Sequence, residues 1–247
     1  NPQVEHVRSM FEMMWAPLLA ALNMLMEETS DNKVVSQCLA GLVGSVGITA
    51  QFGLESQRDA FVASLTQFTA LHSLGGGVRE LKHKNLEAIK SVVKVARTSG
   101  NHLGASWFPV LRCISLLDSV HAIGSGQRAS SARPGEGYES QQINEANSAL
   151  IDRVDTADID RIFSNSSGLS DMAIVDFVSH LCAISREEIE GNPAQPRVFC
   201  LQRIVEITSF NMSRIRIVWS KIWAILSVHF EGVAMHANVE LAMYAID

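Results

Sequence analysis

The chain of 247 residues is long enough to bury a substantial core, and 47% hydrophobic with 19% charged residues is the composition of a folded protein. A net charge of −6 argues against nucleic acid as a partner of the whole chain. Four widely spaced cysteines on apolar helical patterns indicate buried free thiols in a reducing compartment, and not a disulfide framework. Long segments of helical periodicity with few β-branched runs predict an all-α fold.

The first predicted helix covers about residues 4–28. Pro17 lies inside it and predicts a kink or a break near Ala16, because proline removes a backbone hydrogen-bond donor. The apolar periodicity predicts a buried stripe on this helix that consists of Met10, Met13, Met14, Leu18, Ala21, Leu22 and Leu25.

The second predicted helix has clear signals at both ends. Asp31 is its expected N-cap, and Gly53 marks its end. It contains an uncharged stretch, residues 34–54, that is long enough to cross a bilayer. The polar residues and four glycines in this stretch instead favour a helix buried between two neighbours, with the glycines allowing close approach.

Further helices are predicted at about 55–72, 85–98 and 105–123, with a flexible turn at Gly75–Gly77. Residues 124–149 are rich in Gly, Ser and Gln and are predicted to form a disordered linker or loop. Helical patterns resume at 151–163, 170–190, 197–210 and 214–231, and a last helix begins near Asn238.

The order of these elements predicts the architecture. Roughly ten helices form pairs that recur about every 40 to 45 residues, the spacing of HEAT or armadillo repeats. An armadillo-like α-solenoid is therefore favoured over a closed helix bundle. We expect N-terminal repeats in 1–123, the linker in 124–149, and C-terminal repeats in 150–247 that pack on the first part as one continuous solenoid.

No set of residues has the spacing of a catalytic, cofactor or metal site. Ser91 and Lys94 match the S-x-x-K pattern of acyl-transfer enzymes, but the chain has no S-D-N or K-T-G partner, so a solvent-facing lysine is favoured. The histidines show no H-E-x-x-H pattern and no zinc-finger spacing with cysteine. The sequence therefore predicts a non-catalytic chain without cofactor or metal.

The strongest charge signal lies in residues 78–97, where six basic and two acidic residues give +4 in a chain of net −6. Lys90, Lys94 and Arg97 are spaced to share one helix face. Such a face can bind an acidic partner or an anionic membrane, although an ordinary solvated face is the more frequent explanation. Trp223 lies beside an apolar stripe of the 214–231 helix and is a candidate exposed contact.

Five segments, at 7–22, 52–69, 84–118, 162–185 and 196–226, carry a resemblance to a known family. Among their strings is G-N-x-L-G-x-S-W at residues 100–107. In order and spacing they resemble the large BIG-type trans-Golgi Arf guanine-nucleotide exchange factors. The similarity is to the first homology region downstream of the catalytic exchange domain.

The resemblance implies a regulatory segment, with the catalytic exchange domain upstream and absent here. It implies a role in autoinhibition and in recognition of membrane-bound, GTP-loaded Arf, which gives positive feedback in vesicle-mediated protein transport. The implied partners are GTP-bound Arf, the upstream domains of the same factor and the peripheral Golgi membrane. The implied location is the cytoplasmic side of the trans-Golgi network. A structural spacer and a direct anionic-lipid-binding module are the alternatives.

Two further expectations follow. The chain lacks an initial Met and a signal peptide and stops inside an apolar helical pattern, so we expect a segment of a longer protein. The second helix carries no basic residue at 38–51, where the resembled family carries some, which shifts the expected contact to the helix at 84–97 and the turn at 100–107. The predicted partner-binding residues are Lys84, Lys90, Lys94, Arg97, Asn101, Trp107 and Trp223.

Overall fold

A computed structural model describes residues 2–74, 80–124, 138–192 and 195–244. In these ranges the chain forms eleven α-helices joined by turns and short 3-10 segments, with no strand, which confirms the all-α prediction. The chain divides into two compact units, Asn1–Asp155 and Thr156–Asp247. The solenoid arrangement of the whole chain stays a prediction.

The first unit contains six helices. They are α1 (Pro2–Glu28), α2 (Asn32–Phe52), α3 (Glu55–Gln67), α4 (His83–Ser99), α5 (Trp107–Gly124) and α6 (Tyr138–Ile151). Helix α2 packs against α1, α3 and α4, and α5 packs against α3, α4 and α6. Large side chains fill the space between them, and their removal from water is the main stabilising term. The fully buried ones include Leu42, Phe61, Leu86, Ile89, Trp107 and Leu111.

Helix α2 has the predicted caps. The Asp31 carboxylate accepts a hydrogen bond from the Lys33 N–H at 2.7 Å, and Gly53 adopts φ +66° after the last helical residue. The close approach expected at the glycines occurs at Gly41, where a Cβ would lie 3.2 Å from the Leu22 side chain of α1. At Gly44 a Cβ would meet no atom within 4 Å, so that glycine is not a packing requirement.

Helix α1 departs from the prediction in two ways. It is helical from Pro2 to Glu28, so Pro17 does not break it. Its buried residues are Phe11, Leu22 and Met26. The predicted stripe is wrong at its three methionines, at Ala21 and at Leu25, since all five of these residues are exposed. The physical reason is that apolar residues occupy both faces of α1, and contact with α2 and α3 selects the face that carries Phe11, whose ring centroid lies 6.1 Å from that of Phe61.

The predicted linker is also corrected in part. Residues 138–149 belong to helix α6, which packs against α5. The buried Asn147 side chain accepts the Leu81 N–H at 2.7 Å, and Ile151 and Val154 enter the core. Few apolar residues anchor this helix, which is why its composition resembles that of a loop. Residues 125–137 of the predicted linker, and the Gly75–Gly77 turn, lie outside the described residues.

The second unit contains α7 (Thr156–Ser164), α8 (Asp171–Gly191), α9 (Phe199–Asn211), α10 (Arg216–Ala234) and α11 (Val239–Tyr244). Helix α8 packs against α9 and α10 around Phe177, Leu181 and Leu201. The Arg214 guanidinium fixes the junction before α10, because it donates to the Leu169 carbonyl at 2.6 Å and also to the carbonyls of Ser166 and Ser167. The four cysteines are buried free thiols, as predicted.

By length and composition alone, three described helical segments are apolar enough to cross a bilayer. They are Glu5–Glu28, Asn32–Phe52 and Arg216–Ala234. The second of these is α2, which buries seven residues, including Leu42 and Val46, against other helices of its unit. This packing agrees with the interpretation of the uncharged stretch as a helix between neighbours.

Candidate partner-binding surface

The predicted basic face lies on the outer side of α4. Lys90, Lys94 and Arg97 are exposed, while the opposite side of the helix buries Ile89, Val92 and four other aliphatic residues, namely Leu86, Val93, Val95 and Ala96. The three cations follow one another at intervals of one helical turn, so they form a single stripe. We call Lys90, Lys94 and Arg97 the α4 basic stripe.

One carboxylate moderates the charge of this stripe. Glu87 accepts a hydrogen bond from Lys90 Nζ at 2.9 Å, and its Oε1 lies 3.9 Å from His83 Nε2. Both members of the Lys90–Glu87 pair are partly solvated, so the pair contributes little to stability. Lys94 is therefore a stronger candidate than Lys90 for attracting an acidic partner.

Lys84 has a different role from the one predicted. Its Nζ donates to the Met26 carbonyl at 2.8 Å and lies 3.4 Å from the carbonyl oxygens of Glu27 and Thr29. These carbonyls end α1, where the helix leaves acceptors without intrahelical donors and has its negative dipole end. Lys84 therefore caps α1 from α4, and its ammonium group is committed to the fold.

The 100–107 segment forms a corner that is fastened to α3. Arg58 donates through Nη1 to the His102 carbonyl at 2.7 Å and through Nη2 to Asp59 Oδ1 at 2.9 Å. Asp59 also accepts the hydroxyl hydrogen bond of Ser106. Gly104 has φ +47°, and a Cβ there would lie 3.2 Å from Arg58 Nη2. The G-N-x-L-G-x-S-W string thus contains the residues that fit this corner around a buried guanidinium.

Two predicted contacts lie at that corner, of which one is buried and one is exposed. Trp107 is only 1% exposed, so its prediction as a surface contact is wrong. It begins α5 and packs in the core, the usual place for an indole on an apolar stripe. Asn101 is exposed two residues before the buried Leu103 and therefore lies on the surface in the corner that follows α4.

Trp223 belongs to the second unit and is 51% exposed on α10. Its ring stacks on Trp219 with centroids 6.5 Å apart and an interplanar angle of 26°. Ile217 and Val228 on the same helix are exposed as well. An exposed indole held by a stacked neighbour loses little entropy on binding, so this position suits a protein contact.

Sequence reasoning missed the largest exposed apolar face of the first unit. In the part of the chain that the structure describes, no large hydrophobic residue is exposed on α3, α4 or α5, so these helices place no apolar strip beside the α4 basic stripe. Exposed apolar side chains lie on α1 instead: Val7, Met10, Met13, Met14, Met24 and Leu25. The sequence feature that could have indicated this face is the absence of any charged residue from 13 to 26.

The described side chains offer little chemistry. Burial raises the pKa of Cys113 and of Cys182 to about 12, so neither thiol forms the reactive thiolate near neutral pH. His229 Nε2 and Ser185 Oγ lie 3.1 Å apart, but both residues are buried. Burial, reinforced by the Arg186 charge, lowers the pKa of His229 to about 4. Among the described residues, no group of three His, Cys, Asp or Glu side chains is arranged to hold a metal ion.

Comparison with known proteins shows what the chain as a whole is similar to. No protein-family model matches the chain. The brefeldin A-inhibited guanine nucleotide-exchange protein 1 of Homo sapiens is 36% identical over 273 residues, which covers 99% of this chain and 15% of that protein. The exchange protein 3 of Arabidopsis thaliana is 34% identical over 293 residues, which covers 98% of this chain and 16% of that protein. The exchange protein 1 of the same plant is 32% identical over 288 residues and is covered to 17%. The chain is therefore homologous, over almost its whole length, to one segment of the brefeldin A-inhibited guanine nucleotide-exchange proteins.

Proposed function

We propose that the chain is a non-catalytic regulatory segment of a large Arf guanine-nucleotide exchange factor. In this proposal it binds GTP-loaded Arf at the trans-Golgi membrane and controls autoinhibition and recruitment of the exchange factor. The observation that supports it most is the similarity over 99% of the chain to only 15% of a much longer exchange protein. The described cores are filled by aliphatic and aromatic side chains, and the remaining polar networks hold helices together, which suits an interaction module.

The proposed Arf contact is the α4 basic stripe together with Asn101. Cations on a rigid helix steer an acidic partner and fix its orientation without a large entropy cost. The stripe is held at both ends, since Lys84 fastens the start of α4 to α1 and Arg58 fastens the corner that follows α4. Lys84 and Trp107 thus support the proposed contact without forming part of it.

Flotation with Arf-coated liposomes tests the proposal. Arf loaded with a non-hydrolysable GTP analogue should retain the chain, whereas Arf loaded with GDP should not. The double variant Lys94→Glu/Arg97→Glu should lose binding, because it replaces two exposed cations of the stripe by anions. Lys33→Glu/Lys221→Glu is the matched control, since it changes two exposed lysines elsewhere and alters net charge equally. Equal binding to both nucleotide forms, or to neither, would refute the proposal.

The regulatory half of the proposal needs its own experiment. The exchange rate of the full-length factor in solution should rise when this segment is deleted, if the segment holds the upstream exchange domain inactive. An unchanged rate would remove autoinhibition from the proposal and leave Arf binding to be judged by flotation.

The exposure of the α4 basic stripe also supports a second candidate function, direct binding to anionic lipid. Sedimentation with phosphatidylserine vesicles that carry no Arf separates the two. Lipid binding would weaken with salt and disappear in Lys94→Glu/Arg97→Glu. Binding that persists in this variant would exclude the stripe as a lipid site.

A further inference from the structure

The outer side of α1 is the most apolar exposed surface that the structure describes in the first unit. We call it the outer α1 face and define it by Val7, Met10, Met13, Met14, Pro17, Ala20, Ala21, Met24 and Leu25, most of them large and all of them exposed or half-buried. Met13 is 82% exposed. An uncharged exposed helix face of this length is unusual on a soluble surface and marks a site that another molecule or segment covers.

The spacing of the outer α1 face is that of a helix-docking seam. Its members follow at alternating steps of three and four residues, from Met10 to Met13, Pro17, Ala20 and Met24. At 100° per residue these positions stay within one side of the helix, opposite the side that carries the buried Leu22 and Met26. A helix that is apolar on both sides packs against neighbours on both sides. In stacked helical proteins, by contrast, a terminal helix presents a polar outer surface.

The composition of the face favours a helix as the covering element. Four exposed methionines give flexible, polarisable side chains that adapt to an apolar stripe. Pro17, Ala20 and Ala21 have small side chains in the middle of the face, so that a partner helix can approach the α1 backbone closely between Met13 and Met24.

Charge at the ends of α1 selects the kind of helix. Glu27 and Glu28 are exposed in the last turn of α1, and the Lys84 ammonium of α4, which binds the carbonyls at this end, sets one cation against these two carboxylates. At the other end, Arg8 pairs with Glu12 at 3.0 Å, and Glu5 leaves that region with a net charge of −1. A further cation brought to Glu27 and Glu28 would neutralise the carboxylate charge that Lys84 does not offset.

We infer that the outer α1 face docks an amphipathic helix that carries an apolar stripe and basic residues at the end facing Glu27 and Glu28. A second copy of α1 fits poorly, because antiparallel pairing sets Glu27 and Glu28 against the acidic N-terminal region, and parallel pairing sets them against each other. An anionic bilayer is repelled by the same carboxylates. The inference is independent of the proposed Arf contact, which uses α4.

The inference is tested with two designed helical peptides of roughly 20 residues, the length of this helix face. Both carry the same leucine stripe, and one has lysines at its ends where the other has glutamates. Fluorescence anisotropy with the full 247-residue chain should show at least about tenfold tighter binding of the lysine-ended peptide, with the difference shrinking as salt is added.

Three variants locate the effect. Met13→Glu/Met24→Glu should lose the lysine-ended peptide, whereas Met172→Glu/Met235→Glu, at exposed methionines of the second unit, should bind it normally. Glu27→Lys/Glu28→Lys should reverse the preference and select the glutamate-ended peptide. This reversal keeps the test decisive even if the methionine variant fails to fold, which circular dichroism would reveal.

Three results would overturn the inference. Equal affinity for the two peptides, or no reversal in Glu27→Lys/Glu28→Lys, would show that charge does not select the occupant. Concentration-dependent dimerisation that Met13→Glu/Met24→Glu abolishes would assign the face to a second copy. Binding to anionic vesicles that depends on Met13 and Met24 would assign it to a membrane.

Discussion

Helices α1 and α4 lie in the same unit, and both present a continuous outer face to solvent, but the faces differ in kind. The α4 face carries Lys90, Lys94 and Arg97 above a side of buried aliphatic residues. The α1 face carries methionines above a side that is also apolar. The difference teaches that helical periodicity identifies the buried side only when the other side is polar. It also separates the two proposed contacts, electrostatic on α4 and hydrophobic on α1.

The largest predicted effect tests which side of α1 is packed. Met26→Ala should cost about 2–5 kcal/mol of unfolding free energy, because Met26 is 0% exposed and its truncation leaves a cavity. Met13→Ala, the matched control on the outer α1 face, should change stability by no more than about 0.5 kcal/mol. Urea denaturation measures both, and comparable losses would mean that α1 does not pack by the Met26 side.

The corner after α4 should be the next most sensitive position. Gly104→Ala should cost on the order of 1–3 kcal/mol, because a non-glycine residue at φ +47° is strained and its Cβ meets the Arg58 guanidinium. Gly44→Ala is the control, since it has open space around it on α2 and should gain up to about 1 kcal/mol from helix propensity. Thermal unfolding would show opposite shifts in Tm, and shifts of the same sign would contradict the described corner.

Substitution of two lysines of α4 should separate the effect on stability from the effect on proposed Arf binding. Lys84→Met removes the donor that caps α1 and should cost about 1 kcal/mol. Lys94→Met, one helix face away, should leave stability unchanged and weaken the proposed Arf contact. Paired measurements of denaturation and liposome flotation check this. Loss of Arf binding in both variants with no change in stability in either would place Lys84 on the binding surface after all.

The smallest predicted effect is a pH response confined to the second unit. The pKa of His229 is about 4 in the folded chain and near 6.5 when unfolded, so the unfolded state binds more protons as pH falls below 6.5. Stability from the neutral, buried imidazole is therefore complete above pH 6.5 and is lost as pH falls towards 4. Between pH 7 and 6 the loss should be about 0.7 kcal/mol.

Hydrogen exchange resolved by helix is the measurement for this response. Protection of α8 and α10 should fall between pH 7 and 5, after correction for intrinsic rates. The described histidines of the first unit are all exposed, so α1 and α4 should not respond through a buried imidazole. Burial also lowers the pKa of His180 on α8, so His229→Gln should reduce the response and His180→Gln/His229→Gln should abolish it. A pH slope that persists in the double variant would assign it to other groups.

Local signals explain what the sequence predicted correctly. The caps of α2 depend on Asp31 and Gly53 alone, and the α4 basic stripe follows from the spacing of its cations on a helix with a polar side. The failures depend on contacts between distant segments. The sequence around Lys84 does not show that the end of α1 lies beside it in the fold. Nor does the sequence around Trp107 show that Arg58 of α3 binds the corner that precedes this buried residue. Helix α6 is anchored by Asn147, which no periodicity marks as a core residue.

Hydrogen exchange of the chain on Arf-coated liposomes tests the central proposal most directly. With GTP-loaded Arf, added protection should centre on the outer side of α4 and on the corner at 100–107, and it should be absent with GDP-loaded Arf. Protection confined to α10 around Trp223, or equal protection with both nucleotides, would contradict the account.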